Sequence, residues 1–302
     1  MQIVLLIFLV VSRSVCAQSS FPDNPFKDAA AVHYADSMTR LKLQELSLEE
    51  KCKEMAGPKN FVALNMKTLF AGKGMAITPI GGNSKRGIPS VYFTDGPRGV
   101  IVGKDKTGFP VPMARAATWN VALEQKIGMA IADEAREEGA GLIGTPCMNL
   151  LRHPANGRAQ EGFGEDPYLV GQMALHLMQG IQSRGVMATA KHFALNSLEN
   201  SRYTINVKID ERTLQEVYLP HFKLCIDNGV ASVMSAYNKV NGQYCGENNH
   251  LLNDVLRKQW GFRGFVHSDW EKGVYSTAPS IRAGMNVEMM IPKFYKFSVV
   301  NK

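Results

Sequence analysis

The stretch Gly261-Phe-Arg-Gly-Phe-Val-His-Ser-Asp-Trp270 places an apolar segment directly before a polar run. Phe265 and Val266 are typical of a brief buried strand, and the polar run ends in Asp269 and Trp270. In parallel α/β proteins, the residues that follow a strand face the binding site. A carboxylate beside an indole suits a sugar, because the first can attack an anomeric carbon and the second can cover the ring. The alternative is that Asp269 caps the next helix and Trp270 packs in the core.

The rest of the chain alternates short apolar segments with amphipathic helical patterns. The pattern predicts strands at Ser90–Thr94, Ala140–Thr145, Val186–Ala190, Val230–Ala236, 264–269 and 286–289, and helices after Ser47, over 121–138, after Asp166, after Asp210 and over Leu251–Trp260. Ser47 with Glu50 is a capping-box sequence, Gly57-Pro58 ends that segment, and Asp166-Pro167 is typical of a helix start. Helical spacing puts Leu123, Ile127, Ile131 and Ala135 on one face of the 121–138 helix, and Val170, Met173, Ala174, Leu177 and Ile181 on an apolar stripe of the helix after Asp166. Pro220 is expected to kink the helix after Asp210. Strand–helix alternation predicts a parallel sheet with right-handed crossovers. About seven such units predict an α/β protein of the (β/α)8 TIM-barrel type.

Five chemically active residues stand just past predicted strand ends. They are Asp95, Lys191, His192, Tyr237 and Asp269. In a barrel, these positions converge on one mouth, so we expect the five side chains to share a pocket. Any one of them alone could be an ordinary surface or core residue. Their equivalent placement favours a common functional site.

Composition and motif searches exclude several functions. The chain has 302 residues, 45% of them apolar, which allows one large domain or two small ones. A net charge of +7 without a run of basic residues indicates a solvated basic surface and no nucleic-acid partner. Gly139-Ala-Gly-Leu-Ile-Gly144 has the letters of a dinucleotide fingerprint, but it leaves a helix and enters a strand, the reverse of the required order. No P-loop, HExxH, CxxC or GxSxG motif occurs, so we expect no cofactor and no metal.

The N-terminus has the pattern of a secretory signal. Residues Ile3–Val11 form an apolar run too short to span a bilayer, and Val15-Cys16-Ala17 fits a cleavage site before Gln18. We interpret residues 1–17 as a signal peptide and 18–45 as a linker or N-terminal extension. We therefore expect the protein to be secreted and extracellular, with no membrane association after the signal peptide is cleaved. The alternative is a buried N-terminal strand.

Several short motifs occur in one order between about residues 80 and 290. They are Asp95-Gly-Pro-Arg-Gly-Val100, Ala116-Ala-Thr-Trp-Asn120, Gly157-Arg158 with Glu161-Gly-Phe-Gly-Glu-Asp-Pro167, Lys191-His-Phe-Ala-Leu-Asn196, Asp210-Glu-Arg-Thr213, Met234-Ser-Ala-Tyr-Asn-Lys-Val-Asn-Gly242, and Trp260-Gly-Phe through Ser268-Asp-Trp270. Together they resemble glycoside hydrolase family 3, the secreted β-glucosidase and β-xylosidase type. The resemblance implies that residues 46–290 form the N-terminal barrel domain of that family.

The resemblance also implies a chemistry. Terminal non-reducing β-D-glycosides, either β-linked oligosaccharides or aryl and alkyl glycosides, would be hydrolysed by a retaining mechanism with Asp269 as nucleophile. The implied substrate-binding residues are Asp95, Arg158, Lys191, His192, Arg202, Tyr237 and Trp270. Arg202 would keep Asp269 anionic, Tyr237 would hydrogen-bond the nucleophile or the sugar, and Trp270 would stack on the ring. We interpret Glu161 as a partner of Arg158 or Lys191 rather than a catalytic group.

The sequence departs from the family pattern near its end. Residues 291–302 match no family motif, and similar enzymes continue into a second domain that supplies the acid/base glutamate. The loop Lys191-His-Phe-Ala-Leu-Asn-Ser197 also lacks the KHFPGHG-like pattern of relatives that use a histidine instead. We therefore expect a barrel incomplete at its C-terminal end and weak or no turnover of natural glycosides, explained by a truncated gene model or a splice product.

Other functions stay open at this point. Gly157-Arg-Ala-Gln-Glu161 departs from the Gly-Arg-Asn-Phe-Glu motif common in glucosidases, so a β-xylosidase stays possible. A non-catalytic, secreted sugar-binding remnant of the same fold is the main alternative from another class. A barrel lyase or aldolase with Lys191 as Schiff base is disfavoured, because charged neighbours give no sign of a depressed lysine pKa.

Overall fold

The structure is a computed structural model that describes residue 26 and residues 28–58, 60–72 and 74–300. Its helices are α1 (Ala29–Glu45), α2 (Leu48–Glu54), α3 (Phe61–Phe70), α4 (Pro112–Ala116), α5 (Val121–Glu137), α6 (Pro167–Ser183), α7 (Glu211–Thr213), α8 (Pro220–Asp227), α9 (Ala278–Ala283) and α10 (Phe297–Val300). Its strands are β1 (Thr78–Ile80), β2 (Val91–Asp95), β3 (Leu142–Gly144), β4 (Met187–Phe193), β5 (Asn206–Val207), β6 (Ser232–Ser235), β7 (Lys239–Val240), β8 (Gln243–Tyr244) and β9 (Phe265–His267). The signal peptide predicted at 1–17 lies outside the described residues.

Six strands form the main sheet, in the order β1-β2-β3-β4-β6-β9. Strand β1 is antiparallel to β2, and every later pair is parallel. Strands β5, β7 and β8 form a small separate sheet. The main sheet follows chain order, as successive right-handed βαβ units do. The predicted α/β class is therefore confirmed.

Over the part of the chain that the structure describes, the main sheet curls as a half-barrel of six strands and does not form the eight strands of a complete TIM barrel. Beyond β9, single parallel bridges join His267 to Val287 and Glu288 to Ala56. The Gly81 N–H, just after β1, then donates to the Ala56 carbonyl. These contacts lead from one edge of the sheet towards the other without building further strands, so the last predicted strand is reduced to two bridges. The prediction of an incomplete barrel agrees with this arrangement.

Helices α5 and α6 pack against each other, and α6 packs against β4. The predicted apolar stripe of α6 is fully buried: Val170, Met173, Ala174, Leu177 and Ile181. The helix starts as predicted, since the Asp166 carboxylate accepts the Leu169 N–H. In α5, Ile131 and Ala135 are buried as predicted, whereas Leu123 in the first turn is exposed.

Two predicted helices contain π-helical turns. Asp210 caps α7 by accepting the Thr213 N–H at 2.9 Å, and a π-helix follows at Leu214–Tyr218. Helix α8 then restarts at Pro220, where the sequence predicts a kink because proline has no N–H to donate. The helix predicted over Leu251–Trp260 is π-helical over His250–Gln259.

The sequence patterns miss two helices on the N-terminal side. Helix α1 occupies 29–45, within the segment interpreted from the sequence as a linker or N-terminal extension. Asp28 caps it by accepting the Ala30 and Ala31 N–H groups. Only Ala35 and Thr39 of α1 are buried, so its sequence carries little apolar periodicity. Helix α3 follows the Gly57-Pro58 stop signal and has no buried residue.

The segment after the last bridges packs back onto the domain. The Glu288 carboxylate accepts the backbone N–H groups of Lys293, Phe294 and Tyr295 at 2.8 to 3.2 Å. The Tyr295 ring is buried, and its hydroxyl donates to Ser280. Among the described residues, none of the helices combines the length and the apolar character that crossing a bilayer requires.

Candidate active site

A cavity of about 360 Å³ lies at the C-terminal ends of the main-sheet strands. It brings together all the site residues predicted from the sequence: Asp95, Arg158, Lys191, His192, Arg202, Tyr237, Asp269 and Trp270. Glu161 and four residues without a predicted role complete the lining: Pro97, Arg98, Ile101 and Gln160. Because parallel strands end at one edge of the sheet, side chains from distant parts of the chain meet there.

Strands β2 and β4 hold a buried ion pair. The Lys191 side chain is only 1% exposed, and its Nζ lies 2.5 Å from Asp95 Oδ1. A Cβ on Gly144, the neighbour of Asp95 across the sheet, would stand 2.5 Å from the same oxygen, so glycine leaves the room that the carboxylate needs. The pair presents an acceptor and charged donors to the cavity. Sugar hydroxyls, which both donate and accept, fit such a pair.

His192 faces the same cavity as Lys191 because β4 bulges there. Consecutive residues of a strand ordinarily point to opposite faces, but the pairing with β6 skips His192. Asn149 holds the histidine. Its Oδ1 accepts the His192 backbone N–H at 3.0 Å and lies 3.3 Å from Nδ1, and its Nδ2 donates to the His192 carbonyl at 2.8 Å. Sequence reasoning missed both the bulge and Asn149, since neither leaves a periodic signal.

Arg158 joins His192 to Glu161. Its Nη1 lies 3.1 Å from His192 Nε2, and its Nε and Nη2 donate to the Glu161 carboxylate at 3.0 and 2.6 Å. A guanidinium only donates, so Nε2 accepts and the ring proton sits on Nδ1, towards Asn149. Burial, reinforced by Arg158 and Lys191, holds the pKa of His192 well below its usual range. The imidazole is therefore neutral at pH 7.

Asp269 has one oxygen held and one oxygen free. Its Oδ1 accepts the Trp270 N–H at 2.7 Å, while Oδ2 is buried and accepts no hydrogen bond from the described residues. His192 Nε2 lies 3.6 Å from Oδ2 but carries no proton to donate. Burial raises the pKa of Asp269 to about 6, although the Trp270 N–H, Arg158 and Lys191 all lower it.

The backbone that carries Asp269 is fixed on both sides. The Ser268 N–H donates to the Val287 carbonyl at 2.9 Å, and its hydroxyl oxygen accepts the Met289 N–H at 2.8 Å. A Cβ on Gly273 would come within 2.6 Å of backbone atoms of Asp269. These contacts set the direction in which the Asp269 carboxylate enters the cavity.

Aromatic rings support Trp270, which is half-buried at the cavity wall. The Phe93 ring meets the indole edge-on at 5.1 Å between centroids, and the Phe61 ring lies at 6.4 Å. The Tyr237 hydroxyl donates to the Trp270 carbonyl at 2.7 Å and also lies beside the Asp269 carboxyl, whose pKa it helps to lower. The indole is positioned as a rigid apolar wall, the role that the sequence suggests.

Arg202 lies at the rim of the cavity and is not bonded to Asp269. Its guanidinium donates to Glu199 at 2.7 Å and to the Tyr203 hydroxyl at 2.9 Å, and it covers the Tyr237 ring at 4.7 Å. Arg158 and Lys191, rather than Arg202, lower the pKa of Asp269. Glu199 has no role predicted from the sequence, because it lies in a loop that leaves no periodic pattern.

Comparisons with known proteins agree with this geometry. The chain is 41% identical over 256 residues to beta-glucosidase B of Emericella nidulans, covering 83% of this chain and 28% of that protein. It is 45% identical over 213 residues to a beta-glucosidase of Rhizobium radiobacter, covering 68% and 26%. The chain thus spans about a quarter of the length of these relatives.

Solved structures give the same result for the fold. DesR, a beta-glucosidase from Streptomyces venezuelae in complex with D-glucose, superposes with a TM-score of 0.78 at 32% identity, over 86% of this chain and 34% of that one. Beta-glucosidase 3B from Thermotoga neapolitana in complex with glucose superposes with a TM-score of 0.76 at 36% identity, over 83% and 36%. Residues 75–299 match the glycosyl hydrolase family 3 N-terminal domain, which places the cavity and its lining within that domain. The chain belongs to glycosyl hydrolase family 3 and contains its N-terminal domain.

Proposed function

We propose that the cavity binds the terminal, non-reducing β-D-glucosyl unit of a β-glycoside and hydrolyses its glycosidic bond with retention of configuration. The observation that carries this proposal is the free Oδ2 of Asp269. It is a buried carboxylate oxygen without a donor, in the same cavity as the Asp95–Lys191 pair, His192 and Trp270. A donor bonded to Oδ2 would have to be displaced before attack, and none is present among the described residues.

In this proposal Asp269 Oδ2 attacks the anomeric carbon and forms a glycosyl ester, and the leaving oxygen departs with the former glycosidic electron pair. Water then attacks the same carbon, its proton passes to solvent, and the bond to Oδ2 breaks to restore the Asp269 carboxylate. Lys191 and Asp95 bind sugar hydroxyls as donor and acceptor. The Nε2 atom of the neutral His192 accepts a hydrogen bond from Arg158. In this part of the cavity the Arg158 guanidinium, rather than the imidazole, therefore donates to sugar hydroxyls. Trp270 covers the apolar face of the ring.

A retaining mechanism needs a second carboxyl group as acid and base, about 5–5.5 Å from the nucleophile. Among the described residues that line the cavity, the other carboxylates are Asp95 and Glu161, each in an ion pair with a cation. We infer that neither is the proton donor. Natural glycosides, whose leaving group needs a proton, should then react about 10²–10⁴-fold more slowly than glycosides with a good leaving group.

Glucose is the favoured sugar because several of the similar proteins are named beta-glucosidases, two of them solved with glucose bound. Xylose stays a second candidate, and one relative at 37% identity is named an exo-alpha-(1->6)-L-arabinopyranosidase. We further propose that the protein is secreted, on the apolar run of residues 3–11.

The test is the hydrolysis of p-nitrophenyl β-D-glucoside, with p-nitrophenyl β-D-xyloside in parallel. We expect release of nitrophenol, a β-anomeric product seen first by proton NMR, and a preference for glucoside. Asp269→Asn should abolish turnover, whereas Asp133→Asn, on the exposed face of α5, should retain it. An initially α-anomeric product, or full activity of Asp269→Asn, would contradict the proposal. Glucose binding without any turnover would favour the sugar-binding remnant instead.

A further inference from the structure

Helix α3 displays an apolar surface that the other described residues leave uncovered. Its large apolar residues Val62, Met66, Leu69 and Phe70 are 61%, 43%, 59% and 81% exposed. No residue of the helix is buried. Residues three and four apart lie on one side of a helix, so these four form a continuous stripe. A surface of this kind on a soluble domain ordinarily marks a contact site.

Both ends of α3 are attached to segments that line the active-site cavity. At its start, the Phe61 ring packs against Trp270. After its end, the Met75 carbonyl accepts the Gly103 N–H at 3.1 Å, on the loop that carries the cavity residue Ile101. Met75 and Ile101 are themselves 47% and 49% exposed. The start of α3 and the segment after its end are therefore held close to residues of the cavity wall.

The charge carried by α3 and its flanking sequence is positive, whereas the acidic Glu138 lies beside Gly103 on the neighbouring loop. Between residues 57 and 94 the sequence contains five Lys and Arg and no Asp or Glu. Lys67 lies within α3, is exposed, and has no carboxylate partner among the described residues. An exposed apolar stripe among basic residues is typical of helices that lie in the interface of an anionic membrane. Docking on a protein would not by itself require that residues 57–94 lack Asp and Glu, so this feature favours an anionic membrane.

We propose that α3, with Met75 and Ile101, docks on an anionic lipid surface and presents the cavity to glycolipids. The apolar side chains would enter the boundary between headgroups and acyl chains, and Lys67 would meet the anionic headgroups. The sugar would enter the cavity while the apolar leaving group stays in the lipid layer beside α3. This revises the expectation from the sequence that the cleaved chain does not contact membranes. The substrate class, a glycoside with a lipid-like leaving group, rests on the proposed function; the docking does not.

Sedimentation of the full chain with vesicles tests the docking without reference to activity. We expect binding to phosphatidylcholine vesicles that contain phosphatidylserine and weaker binding to phosphatidylcholine alone. The double variant Leu69→Ser, Phe70→Ser should bind on the order of tenfold or more weakly, and Lys67→Glu roughly fivefold or more weakly. The matched controls Leu41→Ser on α1 and Lys126→Glu on α5, exposed residues of the same types, should bind as the parent does.

Turnover then tests the substrate class. The α3 variants should hydrolyse soluble p-nitrophenyl β-D-glucoside as the parent does, but lose rate on a long-chain alkyl β-D-glucoside held in vesicles. Absence of vesicle binding, or binding that the α3 variants leave unchanged, would overturn the docking proposal. So would light scattering that shows α3-dependent self-association in place of vesicle binding. If the chain binds vesicles through α3 but hydrolyses no glucoside, the proposed function fails and the docking proposal stands.

Discussion

Replacing Asp269 with asparagine is expected to stabilise the fold at pH 7. Burial raises the pKa of this carboxyl from its ordinary 3.8 to about 6. Since each pKa unit corresponds to ~1.36 kcal/mol, the ionised side chain destabilises the folded state by about 3 kcal/mol at pH 7. Asparagine has nearly the same shape, keeps an oxygen for the Trp270 N–H, and carries no charge. The variant should therefore gain up to about 3 kcal/mol in unfolding free energy.

The pH dependence of this gain follows from its sign. Because the folded-state pKa lies above the unfolded one, the destabilisation is fully present above pH 6 and disappears as the pH falls below about 4. Urea unfolding of parent and variant, followed by tryptophan fluorescence at pH 7 and near pH 4, measures it. The control Asp95→Asn should act in the opposite direction, by roughly 3–5 kcal/mol, because it leaves the buried Lys191 ammonium unpaired. An Asp269→Asn variant that is no more stable than the parent at pH 7, or equally stabilised at both pH values, would refute the reasoning.

Three further predictions concern catalysis on an aryl β-glucoside. The value of kcat/KM should fall on the acid side with a midpoint near pH 6, as Asp269 gains its proton; a midpoint near pH 4 in the pH–rate profile would contradict this. Lys191→Met should lower kcat/KM by roughly 10- to 100-fold through the loss of a charged hydrogen bond, whereas an unchanged value would remove Lys191 from sugar binding. Gly144→Ala should displace the Asp95 carboxylate, cost about 1–3 kcal/mol of stability, and raise KM; a parent-like KM would show that the carboxylate has room to spare.

Much of the fold could be predicted because local signals agree with it. The capping box at Ser47 and Glu50 is present with both hydrogen bonds. Apolar periodicity and helix-start residues also predict the α6 stripe and strands β2 and β9, although β9 ends at His267, two residues before the predicted end. Helices α1 and α3 could not be predicted this way. They bury few or no residues, so tertiary packing does not impose a readable apolar pattern on them.

The set of residues around the cavity could be predicted, but not their pairings. Strand-end position brought Asp95, Lys191 and Asp269 to one mouth, as expected. The partners depend on side-chain directions that no sequence spacing encodes. The bulge in β4 turns His192 towards Arg158. In the loop after β4, Arg202 pairs with Glu199 instead of the nucleophile.

The central claim is that Asp269 Oδ2 forms a bond to the anomeric carbon, and covalent trapping tests it most directly. The chain is incubated with an activated 2-deoxy-2-fluoro β-D-glucoside, which slows hydrolysis of the ester more than its formation, and is then digested for mass spectrometry. We predict one added fluoroglucosyl group per chain, carried by the peptide that contains Asp269, and none in Asp269→Asn. An unlabelled parent chain, or a label on any other carboxylate of the cavity, would contradict the account.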